Sequence, residues 1–265
     1  MKSKILALSS VGLAVTVCLF ALPVFTQAQG QKAQGYLMID YVVKPYMAKE
    51  FEAITIEENG LFAGIKFPYG WTAYSTEDLH YYFFFPIENF GSFDVIRTAF
   101  DEAEKRLGES YETLEKRMAG AYEYHREMVV YLRPDLSYTP TESNIKPEES
   151  NYVFFEFTYI LPEKEEEFET YYREWAALCK KIDFRIGYAA YRGVFGTDNP
   201  FYVSAMIART QADTFVEEER IMKTLSQEEQ AELMAAYEKA FSFFRKYETK
   251  NGRSRPDLSY APQTK

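Results

Sequence analysis

Two stretches decide how this chain folds: PYMAKEFEAITIEENGLFAGIKFPYGWTAY at residues 45–74 and PEKEEEFETYYREWAALCKKIDFRIGYAAY at residues 162–191. Laid over each other without gaps, Pro45 on Pro162, they agree at eleven of thirty positions, among them Glu50/Glu167, Phe51/Phe168, Glu52/Glu169, Leu61/Leu178, Phe67/Phe184, Gly70/Gly187 and Tyr74/Tyr191. A second pair repeats further on, Arg133-Pro-Asp-Leu-Ser-Tyr138 and Arg255-Pro-Asp-Leu-Ser-Tyr260. Self-similarity, at an offset of 117 residues in the first pair and 122 in the second, means that one supersecondary unit of about 105 residues has been duplicated. The units are residues 36–140 and 151–262, and the Pro- and Glu-containing stretch 141–150 is the linker.

Each unit reads alike. Tyr36 to Val43 and Tyr152 to Leu161 are β-branched and aromatic runs stopped at Pro45 and Pro162, residues that cannot donate to a ladder. A helix follows. In the second unit Glu163 to Glu167 place acids at its positive end, and Phe168, Tyr171, Tyr172, Trp175, Leu178 and Ile182 recur at spacings of three and four. Two strands come next, Trp71 to Ser75 with Tyr81 to Ile87, and Phe184 to Tyr191 with Phe201 to Ile207 around a Gly196-Thr-Asp-Asn-Pro200 turn. The remainder reads as helix. Ser92 to Leu107 breaks at Gly108, and Tyr111, Leu114, Met118, Ala121, Tyr122, His125, Met128, Val129 and Leu132 form an apolar stripe. In the second unit Ser226-Gln-Glu-Glu229 is a capping box before Leu233, Ala236, Tyr237, Ala240, Phe241 and Phe244.

Strand, helix, two strands, helix is the order of a ferredoxin-like α+β unit (βαββα), with helices on one face of an antiparallel sheet. A sheet covered on one face only should alternate apolar with polar. Here Leu37, Ile39, Tyr41 and Val43 share one face while Tyr36, Met38 and Val42 share the other, and Phe83-Phe84-Phe85 is apolar on both, so both faces are expected to be buried. On element order and duplication, residues 36–262 resemble the dimeric α/β-barrel superfamily. Its members include antibiotic-biosynthesis-type monooxygenases, the NIPSNAP group and chlorite-dismutase-like proteins. The resemblance implies two tandem ferredoxin-like units paired through their antiparallel sheets as an intrachain pseudo-dimer. It implies little about function, which lives in sites and not in folds.

Composition narrows the compartment and the partners. The 265 residues carry 30 Lys+Arg against 40 Asp+Glu, and aromatic residues make up 17%. A charge of −10 opposes the phosphate neutralisation on which nucleic-acid affinity rests, so no nucleic-acid partner is expected. Lys2 and Lys4, the apolar run Ile5 to Val24 and Thr26-Gln27-Ala28 read as a signal peptide, residues 1–28, cleaved after Ala28. The rivals are an uncleaved anchor and a lipoprotein at Cys18, against which stand Pro23, the polar residues after Ala28 and the bulk of Val17. Cleavage removes two lysines and no acids, and leaves Cys179 as the one thiol of a secreted, periplasmic protein without an internal disulfide. No stable membrane insertion is expected after cleavage, and the mature chain is expected to be a monomer.

Chemistry is harder to read. His80 and His125 are the only histidines, and no His-Glu-x-x-His, Cys-x-x-Cys, Gly-x-Ser-x-Gly or phosphate-cradling loop is present. Haem-binding members of the resembled superfamily usually rely on a histidine, for which His125 is the candidate; the competing reading is a packed histidine, because the other unit carries Ala240 or Phe241 at the matching place. Asp40 and Glu156 are acids amid apolar neighbours in the first strands, aligned when Tyr36 is set on Tyr152. Each must find a donor, a cation such as Arg185, Arg192 or Arg209, or a proton. Tyr74 and Tyr191 on the adjacent strands offer hydroxyls. The repeated Arg-Pro-Asp-Leu-Ser-Tyr segments read as docking tails, or as anion-binding forks through Arg133 and Arg255. Together these give the expectation of a non-enzymatic protein that binds a small, partly apolar or aromatic molecule at Asp40, Glu156, Tyr74, Tyr191 and His125, with no cofactor. The alternatives are a cofactor-independent or haem-dependent monooxygenase-like enzyme and a protein-interaction module.

Overall fold

The computed structural model describes residues 34–141, 145–146 and 149–262; the expected signal peptide lies outside them, and the linker lies partly outside. In chain order the elements are β1 (Gly35–Val43), α1 (Ala48–Ile65), β2 (Thr72–Thr76), β3 (His80–Ile87), α2 (Ser92–Leu107), α3 (Glu109–Ala121) and β4 (Tyr122–Leu132). Then follow β5 (Tyr152–Ile160), α4 (Glu165–Lys181), β6 (Tyr188–Phe195), β7 (Phe201–Ala208), α5 (Gln211–Thr224), α6 (Gln227–Phe241) and β8 (Phe244–Ser254).

Pro45 and Pro162 each end a strand and open a short 3-10 turn into the helix, because the ring fixes φ and its missing N–H is one the first turn would leave free. Gly108 stands at φ 56° between α2 and α3, a left-handed angle that glycine takes without strain. The Ser226/Glu229 capping box forms on α6, and Thr210 with Asp213 forms another on α5.

The eight strands close into a barrel in the order β1-β3-β2-β8-β5-β7-β6-β4, every neighbour antiparallel. This is a mixed α+β fold with two apolar layers. Tyr36, Met38, Tyr74, Phe84, Val153, Phe155, Tyr191 and Val203 fill the interior. Leu37, Phe51, Phe62, Phe83 and Tyr111 pack between the first half of the barrel wall and its helices, and Ile160, Phe168, Tyr171, Tyr188 and Phe243 do so for the second. Strands so placed have no polar face, which accounts for the doubly apolar runs.

Two expectations are corrected. The stripe read as one helix from Tyr111 to Leu132 splits at Ala121, and residues 122–132 are β4. Spacings of three and four persist there by coincidence, while the period that decides is two: Met128, Val130 and Leu132 face inward and Val129 outward. Likewise Phe244, read into the helix stripe, opens β8. Each half therefore has a fourth strand that the βαββα reading lacked.

The repeated segments dock reciprocally. After β4, Arg133 donates to Asp135 at 2.9 and 2.8 Å and to Glu169 of α4, and Arg255 after β8 does the same with Asp257 at 2.9 and 2.7 Å and with Glu52 of α1. Ser137 and Ser259 hydroxyls each donate to the carbonyl of their own arginine at 2.8 Å and accept from Ala190 and Ala73 N–H at 2.9 Å. Leu136 and Leu258 are fully buried, and Tyr138 and Tyr260 bridge to Tyr188 and Trp71. The segment ending each half thus lies on the other.

Candidate functional site

Along β5, Val153, Phe155 and Phe157 point into the barrel, so Glu156 between them faces outward, under α4 and α6. One carboxylate oxygen, Oε2, accepts from the Ser204 hydroxyl at 2.8 Å; the other, Oε1, accepts from the Tyr247 hydroxyl at 2.6 Å. Ser204 is the register partner of Glu156 on β7, and Tyr247 reaches across from β8, where it stands opposite Thr158. Tyr172 of α4 stands beside Ser204, and its ring lies 5.8 Å from that of Tyr188. The Tyr188 hydroxyl is buried and has no hydrogen-bond partner in the structure. Trp175 and Tyr237 bring α4 and α6 together with ring centroids 4.8 Å apart. Beside them, Tyr171, Trp175, Leu178, Ala236 and Lys239 line a groove of about 260 Å³. Burial, and after it the negative charge of Glu156, pushes the Tyr172 and Tyr247 phenols well above their ordinary value. They remain neutral donors at any physiological pH. The arrangement is a carboxylate held by two hydroxyls among aromatic side chains.

The other residues singled out from sequence do not join it. Asp40 is 3% exposed on the inward face of β1 and bonds to His80 Nδ1 at 2.7 Å. It and Glu156 are on opposite faces of the barrel wall. The Pro45/Pro162 alignment itself places Asp40 on Phe157 and Ile39 on Glu156; setting Tyr36 on Tyr152 slips the register by one, which moves every side chain to the other face. The suggested arginines are engaged elsewhere, Arg185 with Asp183, Arg192 with Glu165 and Arg209 with Asp213. Tyr74 and Tyr191 both lie inside the barrel, where Phe84 lies 5.8 and 6.0 Å from their rings and Tyr36 lies 5.8 Å from Tyr191. The sheet separates both from Glu156.

His125 is on β4, not on a helix, and is exposed. Its ring lies 5.3 Å from Tyr41 and 5.6 Å from Tyr122, with Nε2 3.5 Å from Glu127. Since Tyr41 pairs with His125 as Thr158 pairs with Tyr247, its counterpart is Tyr247 rather than Ala240 or Phe241. Haem is the cofactor that the resemblance brings into question, and these residues do not fit it. His80 is tied to Asp40, His125 lies among tyrosines at the surface, and neither lines the Trp175 groove. Sequence reasoning missed Tyr247, Ser204 and Tyr172. The signal for Tyr247 lay in the alternation of β8, hidden once Phe244 was read as helix.

No family model matches the chain, and no curated protein does. Solved structures do. An anthrone oxidase-like protein superposes with a TM-score of 0.54 over 87% of this chain and 94% of its own, at 16% identity. A candidate monooxygenase from Lactobacillus acidophilus does so with 0.51 over 87% and 97%, at 7% identity. A double mutant of chlorite dismutase from Candidatus Nitrospira defluvii gives 0.50 over 86% and 94%, at 11% identity. The expectation of a protein that binds without chemistry is overturned by these neighbours, which are described as monooxygenase-like and chlorite dismutase enzymes. At such identities the likeness is one of architecture, and in architecture the chain is similar to the dimeric α+β-barrel proteins.

Proposed function

We propose that this chain is a monooxygenase-like enzyme that oxidises a small aromatic molecule without a bound cofactor, with Glu156 as the proton acceptor. The observation that carries the reading is the Glu156 carboxylate, set among aromatic side chains on the helix-covered face and fixed by Ser204 and Tyr247. An electron-rich arene whose C–H or O–H is removed by a carboxylate becomes a carbanion or phenolate able to reduce dioxygen itself. For anthrone, the compound class in the description of one structural neighbour, the balance is simple. The methylene loses two hydrogens and gains one oxygen atom; the O–O bond breaks; anthraquinone and one water result. Glu156 takes the first proton.

The test is oxygen uptake with anthrone, corrected for autoxidation in buffer. The expected result is one anthraquinone per dioxygen, with Glu156→Gln slower by about a hundredfold, the usual scale of general-base catalysis. A rate equal to buffer, or an unaffected Glu156→Gln, sinks the reading.

We further propose that the barrel is an intrachain pseudo-dimer of tandem ferredoxin-like units, residues 36–140 and 151–262. Supporting it are the matching strand orders β4-β1-β3-β2 and β8-β5-β7-β6, and the reciprocal tails.

A further inference from the structure

Tyr247 occupies its place in an unusual way for a wall residue. Its phenol donates to Glu156 Oε1 at 2.6 Å, its ring lies 5.3 Å from that of Phe244 at an interplanar angle of 8°, and Phe241 meets it edge-on at 5.7 Å. Hydroxyl on carboxylate, ring on ring: this is how a bound hydroxyarene would sit on the same groups. Yet Tyr247 is 37% exposed and Phe241 60% exposed, on the outermost rim of the site. A rotamer change would carry the phenol into water, whereas Ser204, 5% exposed on the adjacent strand, would keep hold of Oε2. The equivalent position in the first half is His125, beside Ile39 in place of Glu156, so this contact belongs to the second half alone among the described residues.

We infer that Tyr247 is a displaceable internal cap on Glu156, and that the molecule replacing it is a small hydroxyarene donating its own O–H to Oε1. The inference rests on Glu156 being the binding carboxylate of the proposed site. It adds the chemical class of the substrate and the step by which the site opens. A cap of this kind lowers apparent affinity by the fraction of time it is closed.

Binding of 2-naphthol to the full chain tests this without any turnover, with naphthalene as the comparison lacking the hydroxyl. Tyr247→Phe, which keeps the ring, and Tyr247→Ser, which removes it, should both bind 2-naphthol about tenfold more tightly than the unaltered chain, the scale on which one lost hydrogen bond acts. Adding Glu156→Gln to Tyr247→Phe should cancel the gain and leave 2-naphthol no better than naphthalene. Equal or weaker binding by both Tyr247 variants overturns the cap. Absence of 2-naphthol binding in every form overturns the hydroxyarene. Should binding follow the expected pattern while anthrone consumes no oxygen, the cap stands and the oxygenase reading alone is lost.

Discussion

Glu58 shows how one half-buried acid reports on its surroundings. It is on α1, and burial, followed by the charge of Glu115, raises its carboxyl to about 7, against a partial offset from the Tyr111 hydroxyl. A raised acid is protonated preferentially in the folded state, so its penalty is absent below the ordinary value of 4.5 and grows as pH rises through about 7. Glu58→Gln should accordingly stabilise the protein at pH 8 by on the order of 2 kcal/mol and leave stability at pH 4 unchanged, a shift of several degrees in Tm measurable by calorimetry. Equal Tm gains at both pH values would refute the assignment. Cys179 is the neutral counterpart: burial pushes its thiol up to about 12, and a thiol so placed packs as a small apolar group.

At the scale of elements, the reciprocal tails carry a pH signature of their own. Glu169 is held down to about 2, first by the Arg133 guanidinium and then by the Tyr202 hydroxyl. A depressed acid contributes stability above its ordinary 4.5, and that contribution disappears as pH falls toward about 2. Arg133→Gln should cost about 2 kcal/mol at neutral pH and flatten the loss of stability on acidification; an unchanged acid slope in urea titrations would show that the pair contributes nothing. Much at this scale was legible in sequence: Pro45 and Pro162, the Gly108 break, the Ser226 capping box and the first strands all lie where local chemistry puts them. β4 and β8 were not, because a helical stripe and a strand can share apolar residues for ten positions and only the barrel neighbours, β1 and β6 for β4 and β5 and β2 for β8, decide between them. For the candidate site the ambiguity was subtler. Glu156 was singled out without Ser204 and Tyr247, and a one-residue slip paired it on paper with Asp40, which lies on the far side of the wall.

The whole molecule is joined at two seams, β2 with β8 and β4 with β6, and by two tails that each cross to the opposite half. Expressed alone, residues 29–140 would leave the edges of β2 and β4 unpaired and the inward faces of Tyr36, Met38 and Phe84 uncovered. Such a fragment should self-associate, and a well-behaved monomer by sedimentation would contradict the proposed pairing. The crossing of the tails has a further consequence. Since each half is gripped by a peptide that belongs to its neighbour, the hold between the halves does not depend on covalent continuity through residues 141–150. Scission there, by a protease or by encoding the two pieces on separate messages, should yield an obligate heterodimer with the same barrel, and exchange of one piece for an isotope-labelled copy should be as slow as unfolding.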